Sequence, residues 1–531
     1  MMKRILITAS LYKEISKYFK IFFLIILLST VPRCTVDLSV ENKNDPDRKK
    51  IFNDPSFVEG NLSKAFKKFY WLQSTYSGIG TILSTIADEL SSSWGGVIGL
   101  FESSEPRKAW DNSPSYRNSW ALEYTWKDLY ESITTANDVL MAIDDGMRFF
   151  YIDAATSDTT ENTERNRAWS RFIQGICYGT LGLIFDKCFI VDEKTDLERW
   201  KNIPPSSYKK VIDFAVEKLN QCIKICEENS FTIPDSWAPQ GSHSPIDENK
   251  LIRLCHSYIA RFKACEARSV EERNSADWAS IKNHAEKGIV ENFGVENDGK
   301  NWLVDWGLQL MAANPDWARI DYRLIGPADT SGAYEAWLAT DVQSRNMFDV
   351  KSYDRRVHPA GDIYADGKYF FYSKECWFRA SRGTYHFSHY NCLKTKDIHD
   401  TGTGWVTIFG KPESDLILAE AELRLGNAQA AADLINITRV SIGELPPATT
   451  TNIGSVTDER KWNGSLWAML KYEKGFEIVA ENFAIAWRDR VGWGECPSGT
   501  LVHFPIPGSE LELLGMEIYT FGGVGGEGAT P

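Results

Sequence analysis

The chain has 531 residues, of which 43% are apolar and 25% are charged, and this length allows one very large domain or two to three closely packed ones. The net charge of -13 argues against a nucleic-acid ligand and against broad contact with anionic lipid, so neutral partners such as sugars or peptides fit better. Aromatic residues are numerous, with 19 Trp and 21 Tyr. A large core would account for many of them, but their flat faces and polar edges also suit stacking on sugars or capture of peptides.

The N-terminus has the pattern of an export signal. A basic stretch leads into an apolar run at 21–28, which is too short to span a bilayer and has the size of a signal-peptide core. Cys34 follows, as in bacterial lipoproteins, where such a cysteine becomes the first residue and carries acyl chains such as palmitate. We therefore expect a signal peptide over 1–33, lipid attachment at Cys34 and a flexible linker over 34–56, although Arg33 departs from the small residues usual at this place.

Most of the remaining sequence has the periodicity of amphipathic helices, with apolar residues three and four positions apart. The predicted helical regions are 57–90, 116–143, 169–185, 208–226, 249–268, 278–290, 415–425 and 428–440. Several form pairs joined by short turns, as in tetratricopeptide-like packing, but the strict repeat consensus is absent. We predict a mainly α fold of tetratricopeptide-like helix pairs in an α-helical bundle.

A long segment interrupts the helices. Between 293 and 411 the helical periodicity is lost, Gly, Pro, Asp, Asn and aromatic residues accumulate, and short strands are predicted at 368–372 and 405–409. Loop-rich segments of this length are usually functional, so we interpret it as a ligand face, with a purely structural subdomain as the alternative. The predicted organisation is a single domain over 57–531, with a helical scaffold at 57–292 and 412–515, the ligand face at 293–411 and a flexible tail at 516–531.

No motif marks a catalytic centre. The sequence contains no GxSxG elbow, no HExxH helix and no Gly-rich phosphate loop of the GxxxxGK[ST] type. Its 72 acidic residues allow many carboxylate pairs of the glycosidase type, but no motif singles one out. No CxxC pair indicates a zinc or redox site, so most cysteines are expected to be buried apolar residues. We therefore expect no enzymatic activity, no cofactor and no metal.

The C-terminal third carries several motifs in a characteristic order. An acidic-aliphatic helix at 415–426 ends in a Gly turn, and an apolar-Asn-x-x-Arg pattern follows at 433–439. A Glu-rich helix at 473–481 precedes Trp-Arg-Asp-Arg and Gly-Trp-Gly at 487–494, and Phe-Pro-Ile-Pro begins at Phe504. With the Cys34 leader and the early helices, these motifs resemble the SusD/RagB family of nutrient-binding outer-membrane lipoproteins over essentially the whole chain.

The resemblance implies a lipoprotein on the outer membrane that faces the cell exterior and touches the membrane only through its N-terminal lipid. Such a protein captures an oligosaccharide or polysaccharide and passes it to a SusC-like TonB-dependent transporter. A peptide ligand for the same uptake system is one alternative, a secreted glycoside hydrolase is a second, and a scaffold that binds only proteins is a third.

Candidate ligand contacts follow from the resemblance and from the loops. In starch-binding members of the family an aromatic platform lies partly in the loop after the second helix, which corresponds to 91–96 here and contains Trp94. An aromatic residue in such a loop lacks obvious core neighbours and usually binds something. The further candidates are Trp302, Trp306 and Trp337, with Asp88 and Asn112 as polar contacts for hydroxyl groups.

The glutamates of the Glu-rich helix have a structural interpretation. Glu473, Glu477 and Glu481 recur at four-residue spacing, as ion-pair partners on one helix face do. We expect them to tie helices together rather than to act in catalysis, with Lys474, Arg488 or Arg490 as their predicted partners.

Overall fold

A computed structural model describes residues 54–76, 78–94, 104–152, 157, 159–196, 203–378, 386–481 and 483–531. All of them belong to one unit that runs from Phe52 to Pro531. Across these ranges, the helices are all too short or too polar to cross a membrane. The predicted signal peptide and Cys34 lie outside the described residues.

The described residues are mostly helical, as predicted. The early helices are α1 Pro55–Ser74, α2 Gly80–Ile86, α3 Ser119–Asp144, α4 Thr163–Ile184, α5 Tyr208–Glu228, α6 Glu248–Cys265, α7 Val270–Asn274 and α8 Trp278–Glu286. The later helices are α9 Leu308–Ala313, α10 Tyr322–Ile325, α11 Ala333–Ala339, α12 Lys396–Thr401, α13 Lys411–Arg424, α14 Ala428–Ser441, α15 Leu466–Glu477, α16 Ile485–Trp493 and α17 Gly508–Leu514.

Consecutive helices pack as pairs, and the α4–α5 pair is held at very short range by glycines. A Cβ atom added to Gly175 of α4 would lie 2.5 Å from Leu219 Cγ of α5, and one added to Gly182 would lie 2.6 Å from Ile212 Cγ1. Real Cβ atoms do not approach so closely, so these positions of α4 accept only glycine while α5 keeps its place. Contacts of α3 with α4, of α5 with α6 and of α13 with α14 continue the predicted bundle of helix pairs.

Strands are short and pair two at a time. They are β1 Leu90–Ser91, β2 Phe150–Ile152, β3 Thr159–Glu161, β4 Lys187–Cys188, β5 Ser206–Ser207, β6 Phe293–Asn297, β7 Arg319–Ile320, β8 Phe370–Tyr372, β9 Tyr390–Cys392 and β10 Gly404–Phe409. The antiparallel β6–β10 pair joins the two ends of the predicted insertion, from Phe293 beside Phe409 to Asn297 beside Gly404. The insertion therefore leaves and re-enters the helical bundle at one place.

The insertion has a hydrophobic core of its own. Ile320, Val350 and Phe370 are fully buried there and pack with Tyr472 and Phe476 of α15, whereas most other apolar side chains form the core of the helical bundle. Most of the nine cysteines in the described part of the chain are buried, which confirms the prediction for this residue type. The ligand-face segment is thus fastened to the bundle through α15.

The predicted element boundaries need three corrections. The region 57–90 is not one helix, because the chain breaks between α1 and α2, where a Cβ on Gly78 would lie 2.1 Å from the Leu72 carbonyl oxygen. The insertion also contains the four short helices α9 to α12. The segment 516–531, predicted as a flexible tail, is packed instead: Phe521 is buried, its carbonyl accepts a bond from the Trp110 amide, and the Val502 amide donates to Gly528.

The three glutamates of the Glu-rich segment form ion pairs, but with other partners than predicted. Glu473 and Glu477 both accept from Arg356 Nη1, at 2.7 Å and 2.9 Å, and Glu481 pairs with Lys394 at 2.6 Å. Arg356 and Lys394 belong to the insertion, so these pairs tie the insertion to the end of α15. The prediction that these glutamates tie helices together is confirmed. The predicted partners Lys474, Arg488 and Arg490 are not the ones used. Lys474 pairs instead with Asp489, and Arg490 pairs with Asp88.

Candidate functional site

Three tryptophans from separate segments meet on one surface, which we name the tryptophan platform: Trp94, Trp306 and Trp317. The Trp317 ring centroid lies 6.1 Å from that of Trp94 and 5.7 Å from that of Trp306. Trp94 is 41% exposed and Trp306 is 45% exposed, while Trp317 is partly buried between them. Such a group of half-exposed large aromatic side chains is unusual outside interaction sites.

The β1–β7 pair positions Trp94 beside Trp317. Trp94 follows β1 and Trp317 precedes β7, and these strands pair with Ser91 beside Arg319. The Ser92 hydroxyl donates to the Trp317 carbonyl at 2.7 Å, and Trp94 Nε1 donates to the Asp316 carbonyl at 2.7 Å. The Trp94 ring is therefore held in one orientation with part of its surface open to solvent.

Trp306 has a backbone conformation that is rare for its residue type. Its φ of 52° lies in the left-handed region, which disfavours a residue with a bulky side chain. The neighbouring backbone enforces it, because the Asp305 amide donates to Ser74 at 2.7 Å and the Tyr76 amide donates to Asp305 at 2.6 Å. A Cβ on Gly307 would lie 2.3 Å from the Ser74 carbonyl carbon, so only glycine allows this approach. Strained positions held by their surroundings are common at functional sites.

Two exposed carboxylates accompany the platform. Asp305 directly precedes Trp306, and Asp316 directly precedes Trp317. Carboxylate oxygens accept hydrogen bonds from hydroxyl groups, and the indole faces offer apolar area. The arrangement therefore suits a flat molecule that has an apolar face and a hydroxyl-rich edge.

Asp88 does not belong to this surface, contrary to the prediction. It is buried, and its carboxylate pairs with Arg107, with Arg490 Nη1 at 3.2 Å and with Arg323 Nη1 at 3.4 Å. Although burial opposes ionisation, these guanidinium groups hold the pKa of the Asp88 carboxyl well below its usual range. Asp88 thus anchors the chain just before β1.

The same cluster contains Asp321 and His386, whose ligand atoms lie close enough to those of Asp88 to share an ion. His386 Nδ1 lies 3.3 Å from Asp321 Oδ2, and although burial opposes its charge, Asp321 raises the pKa of His386. A divalent cation here would stand beside the three arginines that already neutralise Asp88. The donor set therefore fits an ion-pair network and does not fit a metal.

Three other predicted contacts are also core residues. Trp302 is 6% exposed and packs against Phe66 and Tyr70, and Trp337 is 4% exposed and packs against Tyr322. Neither ring has a free face for stacking. Asn112 is buried too, and its amide donates to the Ile506 and Tyr519 carbonyls, which fastens the C-terminal segment.

Solved structures of SusD superfamily proteins share this architecture. A SusD superfamily protein of Parabacteroides distasonis superimposes with a TM-score of 0.55 at 13% identity, over 86% of this chain and 97% of that chain. One of Bacteroides fragilis gives 0.54 at 15% identity, over 87% and 98%. A SusD-like carbohydrate-binding protein of Bacteroides fragilis gives 0.54 at 13% identity, over 91% and 96%.

The chain has a SusD-like fold. This confirms the architecture that the sequence resemblance implied. No protein-family model and no curated protein matches the sequence, so the likeness is carried by the structure and by the short motifs.

Sequence reasoning missed Trp317 as a site residue within this SusD-like fold. Trp317 was one of many aromatic residues in the insertion, and nothing in its spacing set it apart. Its loop, Asn-Pro-Asp-Trp at 314–317, places a tryptophan after turn-forming residues, as the Ser-rich loop does for Trp94. That shared context was the available signal.

A cleft of about 500 Å³ lies elsewhere on the SusD-like fold, between α3 and α17. Trp126, Tyr130 and Phe189 supply apolar walls, and Glu510 lies at the rim, where partial burial raises the pKa of its carboxyl. The volume would admit a small ligand. The cleft is a separate place from the tryptophan platform, since the two share no lining residue.

Proposed function

We propose that the chain is a glycan-binding protein of the SusD/RagB family and that the tryptophan platform holds the glycan. The observation that carries the proposal is the convergence of Trp94, Trp306 and Trp317 on one surface of a SusD-like fold. One protein with the same fold is described as a SusD-like carbohydrate-binding protein, which agrees with this role.

Binding would combine two contributions. The apolar C–H face of a sugar ring would stack on the indole rings, which removes apolar area from water. Sugar hydroxyls would donate hydrogen bonds to the exposed carboxylates of Asp305 and Asp316, which fix the orientation of the ring. Because Trp94 is already held by its bond to Asp316, little side-chain freedom would be lost on binding.

The platform favours binding over hydrolysis. A glycosidase needs an acid and a second carboxylate on opposite sides of the scissile bond, and its acid is usually kept protonated by an enclosed, apolar setting. Asp305 and Asp316 are both open to solvent. We therefore propose a capture protein without catalytic activity.

The cellular role extends the proposal. The apolar run at 21–28 and Cys34 support export and lipid attachment, so we propose an anchor on the outer membrane with the protein facing the exterior. The captured glycan would pass to a SusC-like TonB-dependent transporter. Replacing Cys34 by serine should release the protein from the membrane fraction, and the wild-type protein should co-purify with a large outer-membrane barrel. A Cys34→Ser variant that stays in the membrane fraction would contradict the anchor, and a wild-type protein that purifies without a barrel would contradict the partnership.

The binding test is affinity electrophoresis in gels that contain amylopectin, dextran, xylan, pectin, mannan or levan. We expect at least one polysaccharide to retard the wild-type protein and the Trp94→Ala variant to lose the retardation while its unfolding temperature stays the same. Retardation that survives the substitution, or binding of peptides and of no glycan, would overturn the assignment. Release of reducing sugar by the purified protein would overturn the absence of catalysis.

A further inference from the structure

A second group of aromatic rings begins where the tryptophan platform ends. Tyr76, Trp120 and Tyr124, here named the second aromatic cluster, have ring centroids 5.2 Å apart between Tyr76 and Trp120 and 6.1 Å apart between Trp120 and Tyr124. Tyr76 is 39% exposed and Tyr124 is 45% exposed. Trp120 packs partly on the bundle core, whereas the two tyrosine rings project beyond it.

The cluster is set by local structure. Trp120 and Tyr124 are one turn apart on α3 and therefore share a face of that helix. Tyr76 lies just past the end of α1, where the chain leaves the helix. Trp120 and Tyr124 thus come from one helix, and the backbone bond from the Tyr76 amide to the Asp305 carbonyl holds Tyr76 beside them.

Backbone contacts join the cluster to the platform. The Tyr76 amide donates to the Asp305 carbonyl at 2.6 Å, and Thr75 forms a β-bridge with Trp306. Residues paired across such a bridge have Cα atoms about 5 Å apart. The backbone of Tyr76 therefore lies next to that of Trp306, and the exposed residue Asp305 lies between the two aromatic groups in this backbone contact.

Resting on the proposed function, we propose that the second aromatic cluster is a further glycan subsite that receives the same chain as the platform. The substrate class is then an extended polysaccharide whose successive sugars follow both groups of rings, rather than a short oligosaccharide held by the platform alone. Tyrosine and tryptophan suit this role because each offers a flat apolar face with a hydrogen-bonding edge.

A protein partner fits the cluster less well. The two exposed tyrosines, at 39% and 45%, offer roughly 200 Å² together, far less than the about 800 Å² that each partner buries in a stable protein interface. Aspartate residues such as Asp305 are also depleted in the centre of protein interfaces, whereas their carboxylates accept hydrogen bonds from sugar hydroxyl groups. A protein partner is nevertheless an outcome that the test must distinguish.

The test uses the polysaccharide that retards the wild-type protein, together with its purified trisaccharide and decasaccharide fragments, by isothermal titration. The variant is Tyr124→Ala, because alanine is a good residue for an exposed helix position and should leave the fold intact. The matched control is Tyr353→Ala, which removes a ring that is 58% exposed and belongs to neither aromatic group. Thermal unfolding of each variant checks the fold.

We expect Tyr124→Ala to leave trisaccharide affinity within twofold of wild type and to weaken decasaccharide affinity about fivefold or more, with Tyr353→Ala neutral for both. Equal decasaccharide affinity in Tyr124→Ala and wild type, with loss in Trp94→Ala, would overturn the second subsite and leave the platform standing. No loss in Trp94→Ala with any glycan would overturn the proposed function itself. If Tyr124→Ala binds glycans as the wild type does but no longer co-purifies with a membrane barrel, the second aromatic cluster is a protein contact. That result would also overturn the subsite.

Discussion

Replacing Trp306 by asparagine separates the binding role of this residue from its structural role. The φ of 52° costs a bulky residue roughly 1–2 kcal/mol, whereas asparagine adopts the left-handed region readily. The substitution loses the ring contact with Trp317 but relieves this strain. We therefore expect the free energy of unfolding to stay within about 1 kcal/mol of the wild-type value.

The expected loss of binding follows from the exposed area. With 45% of Trp306 exposed, the free part of the side chain is about 110 Å². A sugar stacked on one face would cover roughly half of it, and at about 25 cal/mol per Å² this stabilises the complex by ~1.4 kcal/mol. The dissociation constant should rise about tenfold.

Isothermal titration with the bound oligosaccharide, and urea unfolding of the free protein, measure the two quantities. Tyr353→Asn provides the control, because it removes an exposed ring that contacts Trp462 and belongs to neither aromatic group, so binding should be unchanged. Affinity within twofold of wild type for Trp306→Asn would refute the stacking role. A loss of several kcal/mol in stability would refute the account of backbone strain.

Three further substitutions test other parts of the structure. Gly307→Ala should displace the Trp306 segment from α1, because the added Cβ would meet the Ser74 backbone. We expect titration to show a lower glycan affinity and urea unfolding to show a lower free energy of unfolding. Wild-type values of both would contradict the close approach to Ser74. Asp88→Asn keeps a residue suited to its φ of 51° but leaves buried arginines without a compensating charge. The free energy of unfolding should therefore fall by about 3–5 kcal/mol. The control Glu335→Gln breaks an exposed ion pair and should lower it by at most about 1 kcal/mol. Burial, with nearby positive charge, lowers the pKa of His503 to about 3, so the folded protein binds fewer protons than the unfolded chain and loses stability as the pH falls from 6.5 towards 3. The urea midpoint should therefore drop less between pH 7 and pH 5 in His503→Asn than in wild type, and equal drops would contradict the shift.

The helical bundle could be predicted from the sequence because its signal is local. A helix such as α5 buries Ala215, Leu219 and Cys222 on one face, and the four- and three-residue spacing of these residues is visible without any structure. The Gly-rich turns and the C-terminal motifs likewise lie within short windows. The end of the first helical region was missed because the chain turns back on itself there: a Cβ on Gly78 would lie 2.1 Å from the Leu72 carbonyl oxygen, and the apolar periodicity does not show this close approach.

The site could be predicted only in part, because exposure is a tertiary property. Trp302 and Trp306 are four residues apart in the same loop-rich segment, yet one packs on Phe66 in the core and the other faces solvent. Trp317 joins the platform only because β1 pairs with β7, and that pairing spans more than two hundred residues. The burial of Asp88 could not be predicted, because two of the arginines that pair with it, Arg323 and Arg490, are remote in sequence.

A crystal structure with the bound oligosaccharide tests the central claim most directly. We predict a sugar ring stacked on Trp306 or Trp94, with a hydroxyl group within hydrogen-bond distance of the Asp305 or Asp316 carboxylate. A sugar in the cleft between α3 and α17, with the tryptophan platform bare, would contradict the account.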